Sequence, residues 1–97
     1  MLLHITRATH IEDHKIAVVF NDGREGIADL SGILAGPVFA PLWEVPEFAR
    51  FRVDKELDAI VWSNGADLAP ERIYFEAFKH DEDSVLQARF REWGYLE

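Results

Sequence analysis

Residues 51–78, FRVDKELDAIVWSNGADLAPERIYFEAF, decide the fold of this 97-residue chain. Apolar and polar residues alternate on both sides of a four-residue turn at 55–58, which predicts a pair of strands. Asn64-Gly65 ends the second strand. Pro70 is suited to the first turn of a helix, because its missing N–H costs nothing there. The stretch therefore predicts two paired strands, a glycine turn and a helix that runs to about Phe78.

Three further strands are predicted before this stretch. Residues 2–11 and 15–20 alternate at period two, and Asp22-Gly23 between 15–20 and 24–30 predicts a hairpin with a type I′ turn. Both faces of the strand at 15–20 are apolar, which predicts that the strand is central in its sheet or covered on both sides. Gly26 in the weaker third strand indicates a bulge or a close approach to the backbone.

Prolines break the segment that joins the two groups of strands. Pro41 and Pro46 forbid a long helix, so we expect two short helical turns. These turns would lay four large apolar side chains across a sheet face as a lid: Val38, Phe39, Leu42 and Trp43. The alternative is that the same side chains form an exposed patch for a partner.

The chain ends in a predicted amphipathic helix at 81–97, beyond a domain that spans residues 1–80. Acidic residues precede this helix and Gly94 fits its C-terminal end. Its aromatic face consists of Leu86, Phe90 and Trp93. That face must pack on the domain itself or on a partner subunit, so these three residues are the candidate interface. The whole pattern predicts an α+β fold: an antiparallel sheet of about five strands, a proline-broken helical segment and two C-terminal helices.

The composition restricts the partners and the location. Eighteen acidic against ten basic residues give a net charge of −8, which argues against direct nucleic-acid binding. A basic protein partner fits this charge better than nucleic acid does, and an acidic surface with no partner is the commoner outcome. The chain has no cysteine, which excludes disulfides and thiolate metal sites and fits a reducing compartment. No signal peptide and no apolar run of about 20 residues is present, so we expect a cytoplasmic protein without a membrane segment.

The densest cluster of specific residue types lies around Asn64-Gly65. The candidate ligand or interaction residues are Trp62, Asn64, Gly65, Asp67 and Glu71. In the functional interpretation, Asn64 and Asp67 lie on a loop beside a helix N-terminus, whose backbone N–H groups could hold an anion or a carbonyl. In the structural interpretation, Asn64-Gly65 is a turn, Asp67 caps the helix and Trp62 fills the core. Both interpretations remain open at the sequence level.

The sequence predicts no catalytic residues, no metal and no cofactor. The serines lie outside a Gly-x-Ser-x-Gly elbow, and the glycines are scattered singly instead of forming a phosphate-binding loop. His4 and His10 would lie roughly 20 Å apart along a strand, and the other two histidines add no metal-ligand spacing. We therefore favour a non-enzymatic role. The alternative is a small-molecule-binding protein or minor enzyme with a pocket near Asn64 and Asp67.

Four segments occur in a characteristic order. They are Asn21-Asp22-Gly23, Asp29-Leu30-Ser31, Arg52-Val53-Asp54 and the motif VWSNGADLAPE at 61–71. With these segments, residues 2–78 resemble the DUF2442 family, small bacterial proteins of unknown function. Two positions depart from the family pattern: Ser63 stands where many members carry Pro, and Asp58 where a turn Gly is common. Asp tolerates the left-handed conformation better than most residues.

The resemblance implies a small α+β unit without established catalytic residues. The same unit also occurs in longer bacterial proteins, followed by a helical domain of DNA-binding type. The segment of about twenty residues after Phe78 is too short for such a three-helix domain, so that function is not carried over. Members are often encoded beside a second small protein of the DUF4160 type. We therefore expect a protein-interaction module, either a homodimer or the acidic member of a toxin–antitoxin-like gene pair.

Overall fold

The computed structural model describes residues 2–96. They contain six strands, three α-helices and one 3-10 helix. In chain order they are β1 (Ile5–Glu12), β2 (Lys15–Phe20), β3 (Glu25–Asp29), a 3-10 helix (Ala40–Trp43), α1 (Val45–Phe48), β4 (Arg52–Asp54), β5 (Ala59–Val61), β6 (Asp67–Leu68), α2 (Pro70–Phe78) and α3 (Ser84–Glu92). The predicted α+β class is confirmed. The single sheet of about five strands is wrong, because the strands form two separate antiparallel sheets in the orders β1-β2-β3 and β4-β5-β6.

The first sheet is a three-stranded meander whose second turn differs from the predicted type I′ turn. The backbone N–H of Phe20 donates to the carbonyl of Arg24 at 2.9 Å, so the loop has three residues, Asn21-Asp22-Gly23. Gly23 has φ +88°, whereas Asp22 keeps a negative φ. A type I′ turn needs positive φ at both central residues. The connection is therefore a three-residue loop with one left-handed glycine, one residue longer than the predicted two-residue turn.

The second sheet is built from short strands around a tight hairpin loop. Asp58 ends the turn between β4 and β5 with φ +54°, as its tolerance of the left-handed conformation predicts. Strand β6 was not predicted, because it has only two residues, Asp67 and Leu68. They pair with Val61 and Ile60 of β5. With this added strand, the second group of strands forms a three-stranded sheet of its own.

The proline-broken segment forms the two short helical turns that the sequence predicts. Leu42 and Phe48 are buried, so this part of the segment covers the core as a lid. Val38 and Trp43 are exposed and Phe39 is half-buried, so only part of the predicted lid covers the core. The alternative prediction, an exposed patch for a partner, stays a prediction. The ring of His14 donates from Nε2 to the carbonyl of Leu42 at 2.9 Å, which ties the lid to the turn between β1 and β2.

The core lies on one face of the first sheet. Ile16, Val18 and Phe20 of β2 point into it and are fully buried. Helix α2 packs against β3 on this side, and the ring of Phe78 lies over Gly26, which is the close approach that the glycine indicated. The alternate residues of β2 are only half-buried. Strand β2 is the central strand of its sheet, which is one of the two predicted alternatives. The other alternative, cover on both faces, is wrong because the helices occupy one side of the sheet.

Candidate functional site

The predicted loop around Asn64-Gly65 is held by bonds within the chain. The indole N–H of Trp62 is buried and donates to the carbonyl of Phe48 at 2.8 Å. The side chain of Asn64 donates to the carbonyl of Val38 at 2.8 Å and accepts from the N–H of Ala66 at 3.1 Å. Gly65 has φ +91°, a conformation that favours glycine. These residues join the second sheet to the lid.

Asp67 and Glu71 do not join this loop in a common site. Asp67 is exposed and lies in β6, while helix α2 begins after Ala69 without a side-chain cap. The predicted cap by Asp67 is therefore wrong, because pairing with Val61 fixes the aspartate in a strand. The cavity beside Asn64 measures about 50 Å³. Small-molecule sites usually measure about 300–1,000 Å³, so this cavity does not suit a metabolite.

Glu71 instead lines a groove between the N-terminal residues and the two C-terminal helices. The groove has a volume of about 450 Å³, and its wall includes the candidate Trp93 together with Asp22, Arg89 and Glu92. Sequence analysis missed Asp22 and Arg89, because they lie far apart in the chain and only the fold brings them together. Asp22 had a recognisable signal, since it lies in the Asp-Gly turn, but the turn alone gives no hint of a partner on helix α3.

Asp22 and Arg89, which line this groove, belong to a network of charged and hydroxyl groups. The Tyr74 hydroxyl donates to Asp22 at 2.8 Å, and the Arg89 guanidinium donates to the same hydroxyl at 3.2 Å. Arg24 lies 3.8 Å from Asp22 and 3.4 Å from Asp83, the residue that caps helix α3. Each charge in the network has a partner of opposite sign. The network therefore holds the β2–β3 turn against the two helices.

Tyr74 is unsuited to proton transfer at neutral pH. Burial, together with the hydrogen bond to the Asp22 carboxylate, raises the pKa of Tyr74 to about 12. A general acid or base works best with a pKa near the working pH. The phenol therefore stays neutral at this pH and acts as a hydrogen-bond donor.

The histidines are engaged with the backbone or lie apart from one another. The ring of His10 lies 2.8 Å from the carbonyl of Asp13, and that of His14 bonds the lid. Within residues 2–96, no three His, Asp or Glu side chains are grouped as metal ligands. None of the helices in this range has the length and apolar character that crossing a membrane would need.

The candidate interface on helix α3 is largely used by the chain itself. Leu86 and Phe90 are buried in the core, with exposed fractions of 1% and 0%. The Phe90 ring packs edge-on against Phe75 at 5.0 Å. Only Trp93 of the three candidates stays half-buried. Two of the three predicted interface residues are thus removed from the surface that a partner could contact.

The outer face of the first sheet is a second feature that the sequence pattern does not reveal. It is the face opposite the core and is defined by Arg7 and Thr9 of β1, Ala17 and Val19 of β2, and Glu25 and Ile27 of β3. These residues line a shallow depression of about 340 Å³. Ile27 is 55% exposed, although β-branched apolar residues usually pack against a neighbour. The available signal is the two-sided apolar pattern of β2, which fits a central strand as well as one covered on both sides.

Comparison with known proteins gives a family and a fold. The model of DUF2442, "Protein of unknown function", matches residues 5–79. A search of curated proteins finds no match. A crystal structure from Nitrosomonas europaea ATCC 19718, described as a "Putative DNA Binding Protein", superimposes with a TM-score of 0.76 at 15% sequence identity. The alignment covers 100% of this chain and 64% of that protein, so this chain spans less than two thirds of its length.

The prediction against direct nucleic-acid binding is contradicted by this neighbour, because a protein with the same fold carries a DNA-binding description. Net charge was the wrong criterion. Binding of nucleic acid depends on where basic side chains lie as well as on their total number. At 15% identity the likeness shows the fold alone.

The family match extends over more than three quarters of the chain and includes the loop at 61–71, the lid and both sheets. The resemblance that the sequence motifs indicated is confirmed. The chain belongs to the DUF2442 family of proteins of unknown function.

Proposed function

We propose that this chain is a non-enzymatic protein-interaction module that binds through the outer face of its first sheet. The observation that carries this proposal is the uncovered apolar centre of that face, formed by Ala17, Val19 and Ile27. A sheet normally buries an apolar face against another layer. Here the helices cover the opposite face, so a second protein surface would supply the missing layer.

The groove beside Glu71 supports this proposal less well than the sheet face does. Two residues that line it, Asp22 and Arg89, are paired with each other and with Tyr74. A ligand there would have to replace hydrogen bonds that hold the helices in place. The sheet face has no such internal bonds to break, since its apolar side chains contact solvent. Docking on the sheet face therefore leaves the fold unchanged.

The test is binding by variants of one exposed apolar residue. Ile27→Asp puts a charge in the centre of the outer face, and Leu57→Asp is the matched control at a 60% exposed residue in the β4–β5 turn. Association with itself and with the proteins encoded by neighbouring genes is measured by sedimentation and by co-purification after co-expression. We expect wild type and Leu57→Asp to associate and Ile27→Asp to fail. Equal association of both variants, or none by wild type, would overturn the proposal.

Nucleic-acid binding is the second candidate, favoured by the DNA-binding description of a protein with this fold. The exposed residues Arg50 and Arg52 lie on either side of Phe51 and are the candidate basic side chains, although Arg50 is paired with Glu47 at 3.5 Å and Arg52 with Asp54 at 3.4 Å. Fluorescence anisotropy with duplex DNA tests this candidate. Binding that weakens steeply with salt and is lost in Arg50→Glu/Arg52→Glu would support it. Anisotropy that is unchanged by the protein at low salt would exclude it.

A further inference from the structure

We propose that the outer face of the first sheet pairs with the same face of a second copy of this chain, so that Arg7 of each copy lies opposite Glu25 of the other. This inference rests on the proposed function and names the partner. It is carried by the positions of two opposite charges on one face.

Arg7 and Glu25 lie at opposite edges of a single row across the sheet. Arg7 pairs with Val19, and Val19 pairs with Glu25 on its other side. Both charged residues line the same shallow depression. Neither forms an ion pair with any other residue in the range 2–96. The face therefore presents a basic edge, an apolar centre and an acidic edge.

A two-fold axis parallel to β2 makes this arrangement self-complementary. Rotation about an axis between two facing sheets exchanges their outer strands, so β1 of one copy lies over β3 of the other. The residue at one edge of the row then faces the residue at the other edge of the same row in the second copy, and the central residue faces itself. Such reciprocal contacts are typical of isologous interfaces. Arg7 meets Glu25 twice, and the two Val19 side chains meet near the axis. Stacked sheets lie about 10 Å apart, a gap that an arginine and a glutamate bridge together.

The neighbouring row adds apolar contact under the same rotation. Thr9, Ala17 and Ile27 are aligned across the three strands. Ile27 of one copy would lie over Thr9 of the other, and the small Ala17 side chains would face each other at the axis. This pairing covers the 55% exposed Ile27. The row therefore contributes burial of apolar surface, while the Arg7 row sets the orientation.

The end row of the sheet limits the strength of the pair. Glu12, Lys15 and Asp29 are aligned there, and the rotation places Lys15 over Lys15 and Glu12 over Asp29. These like charges repel, although Lys15 is partly neutralised by Glu12 at 3.8 Å in its own chain. The favourable contact is therefore confined to the two rows centred on Val19 and Ala17.

The size of the face predicts a weak, reversible dimer. Three strands of five residues cover roughly 250 Å² in projection, whereas a stable interface buries about 800 Å² on each partner. The net charge of −8 on each copy also opposes association. Salt at about 0.15 M screens charges that are more than about 8 Å apart and leaves the close Arg7–Glu25 contacts largely intact. We expect a dissociation constant on the order of 100 µM.

Charge reversal tests this geometry in the full chain. Sedimentation equilibrium from about 10 µM to about 1 mM protein brackets the expected dissociation constant. Arg7→Glu and Glu25→Arg should each weaken self-association about fivefold or more. The double variant Arg7→Glu/Glu25→Arg should regain dimerisation, since its face is again self-complementary. Leu57→Asp, a charge introduced outside the face, is the matched control and should dimerise like wild type.

Mixing the two single variants separates pairing between copies from contact within one copy. The Arg7→Glu chain is acidic at both edges of the row, and the Glu25→Arg chain is basic at both edges. Opposite charges therefore face each other at both edges only in the mixed dimer. We expect the mixture to associate more strongly than either variant alone. Circular dichroism melts confirm that each variant is folded.

Two results would overturn the pairing: wild type that stays monomeric up to about 1 mM, or a mixture that associates no better than its components. If wild type is monomeric but Ile27→Asp still abolishes binding of a neighbouring gene product, the second copy is the wrong partner and the proposed function stands. If Ile27→Asp changes no association of any kind, both proposals fail.

Discussion

The hydroxyl of Tyr74 donates a 2.8 Å hydrogen bond to the carboxylate of Asp22, which joins helix α2 to the β2–β3 turn across 52 residues of sequence. Arg89 of helix α3 donates to the same hydroxyl at 3.2 Å. The Phe20 ring packs edge-on against the Tyr74 ring with 4.8 Å between centroids. One phenol group therefore connects the first sheet to both C-terminal helices through polar and apolar contacts.

Tyr74→Phe removes this hydroxyl and keeps the ring. We expect the free energy of unfolding to fall by about 1–2 kcal/mol, because Asp22 and Arg89 lose a shared partner in a partly buried site. Urea denaturation measures the change. Tyr95→Phe is the control, since the Tyr95 hydroxyl makes no hydrogen bond to residues 2–96, and it should change stability by less than about 0.5 kcal/mol. Equal losses in the two variants would contradict the role of the hydroxyl.

The titration of Tyr74 should be shifted to alkaline pH. Burial and the Asp22 carboxylate raise the pKa of Tyr74 to about 12, whereas an unfolded tyrosine titrates near about 10. A folded-state pKa above the unfolded value stabilises the fold fully below about pH 10, and this contribution is lost as the pH rises through about 12. Ultraviolet absorbance of Tyr95→Phe, in which Tyr74 is the remaining tyrosine, measures the midpoint. A midpoint near the ordinary tyrosine value would contradict the predicted environment.

Local conformations were predictable where the chemistry of one residue restricts the backbone. Pro70 begins helix α2, Gly94 follows helix α3 with φ +85°, and Asp58 takes φ +54°. These three residues act through their own steric limits, so a sequence is sufficient to place them. The lid was predictable for the same reason. Pro41 and Pro46 each lie in the first turn of a short helix and prevent the two from joining into one long helix.

The candidate sites depend on contacts that a sequence pattern does not contain. The alternation in β2 separates Val18 from Val19, but both are valines, and only the position of helix α2 decides which one is buried. Asp67 lies three residues before Pro70, a spacing that fits a cap, yet its pairing with Val61 places it in a strand. The first outcome depends on a helix that lies far along the chain from β2, and the second on a strand pairing that competes with the cap.

Asp83 should stabilise the start of helix α3 through its side chain. One carboxylate oxygen accepts from the N–H of Val85 at 2.8 Å and from that of Leu86 at 3.4 Å, and the other lies 3.4 Å from Arg24. Asp83→Ala should lower the melting temperature by about 5 °C. Asp83→Asn, the matched control, keeps a capping oxygen and should lower it less. Equal melting temperatures for the two variants would contradict the capping role.

The same carboxylate should make stability depend on acid pH. The hydrogen bond from Val85 N–H holds the pKa of Asp83 below its usual value. A lowered folded-state pKa stabilises the fold above the unfolded value of about 3.9, and the contribution is lost as the pH falls through the folded pKa. Melting temperatures between about pH 2 and pH 7 test this prediction. The difference between wild type and Asp83→Asn should shrink toward the acid end, and a constant difference would contradict it.

A side chain at Gly26 should clash with the ring of Phe78 and destabilise the fold. A Cβ atom at Gly26 would lie 2.8 Å from Cε1 and 3.3 Å from Cζ of the Phe78 ring. The ring has little freedom to move, because Tyr74 packs against it with 4.8 Å between centroids. Gly26→Ala should therefore lower the free energy of unfolding by about 1–3 kcal/mol. Gly32→Ala is the matched control, since a Cβ there meets no atom within 4 Å.

The assignment of this cost to Phe78 can be tested with a double-mutant cycle. Phe78→Leu replaces the ring with a smaller side chain and destabilises the fold by itself through lost packing. In that background Gly26→Ala should cost at least about 1 kcal/mol less than in wild type, because the clashing ring atoms are gone. Urea denaturation of the four proteins gives the coupling free energy. If Gly26→Ala costs the same in both backgrounds, the constraint at this position lies in the strand backbone and not in the contact with helix α2.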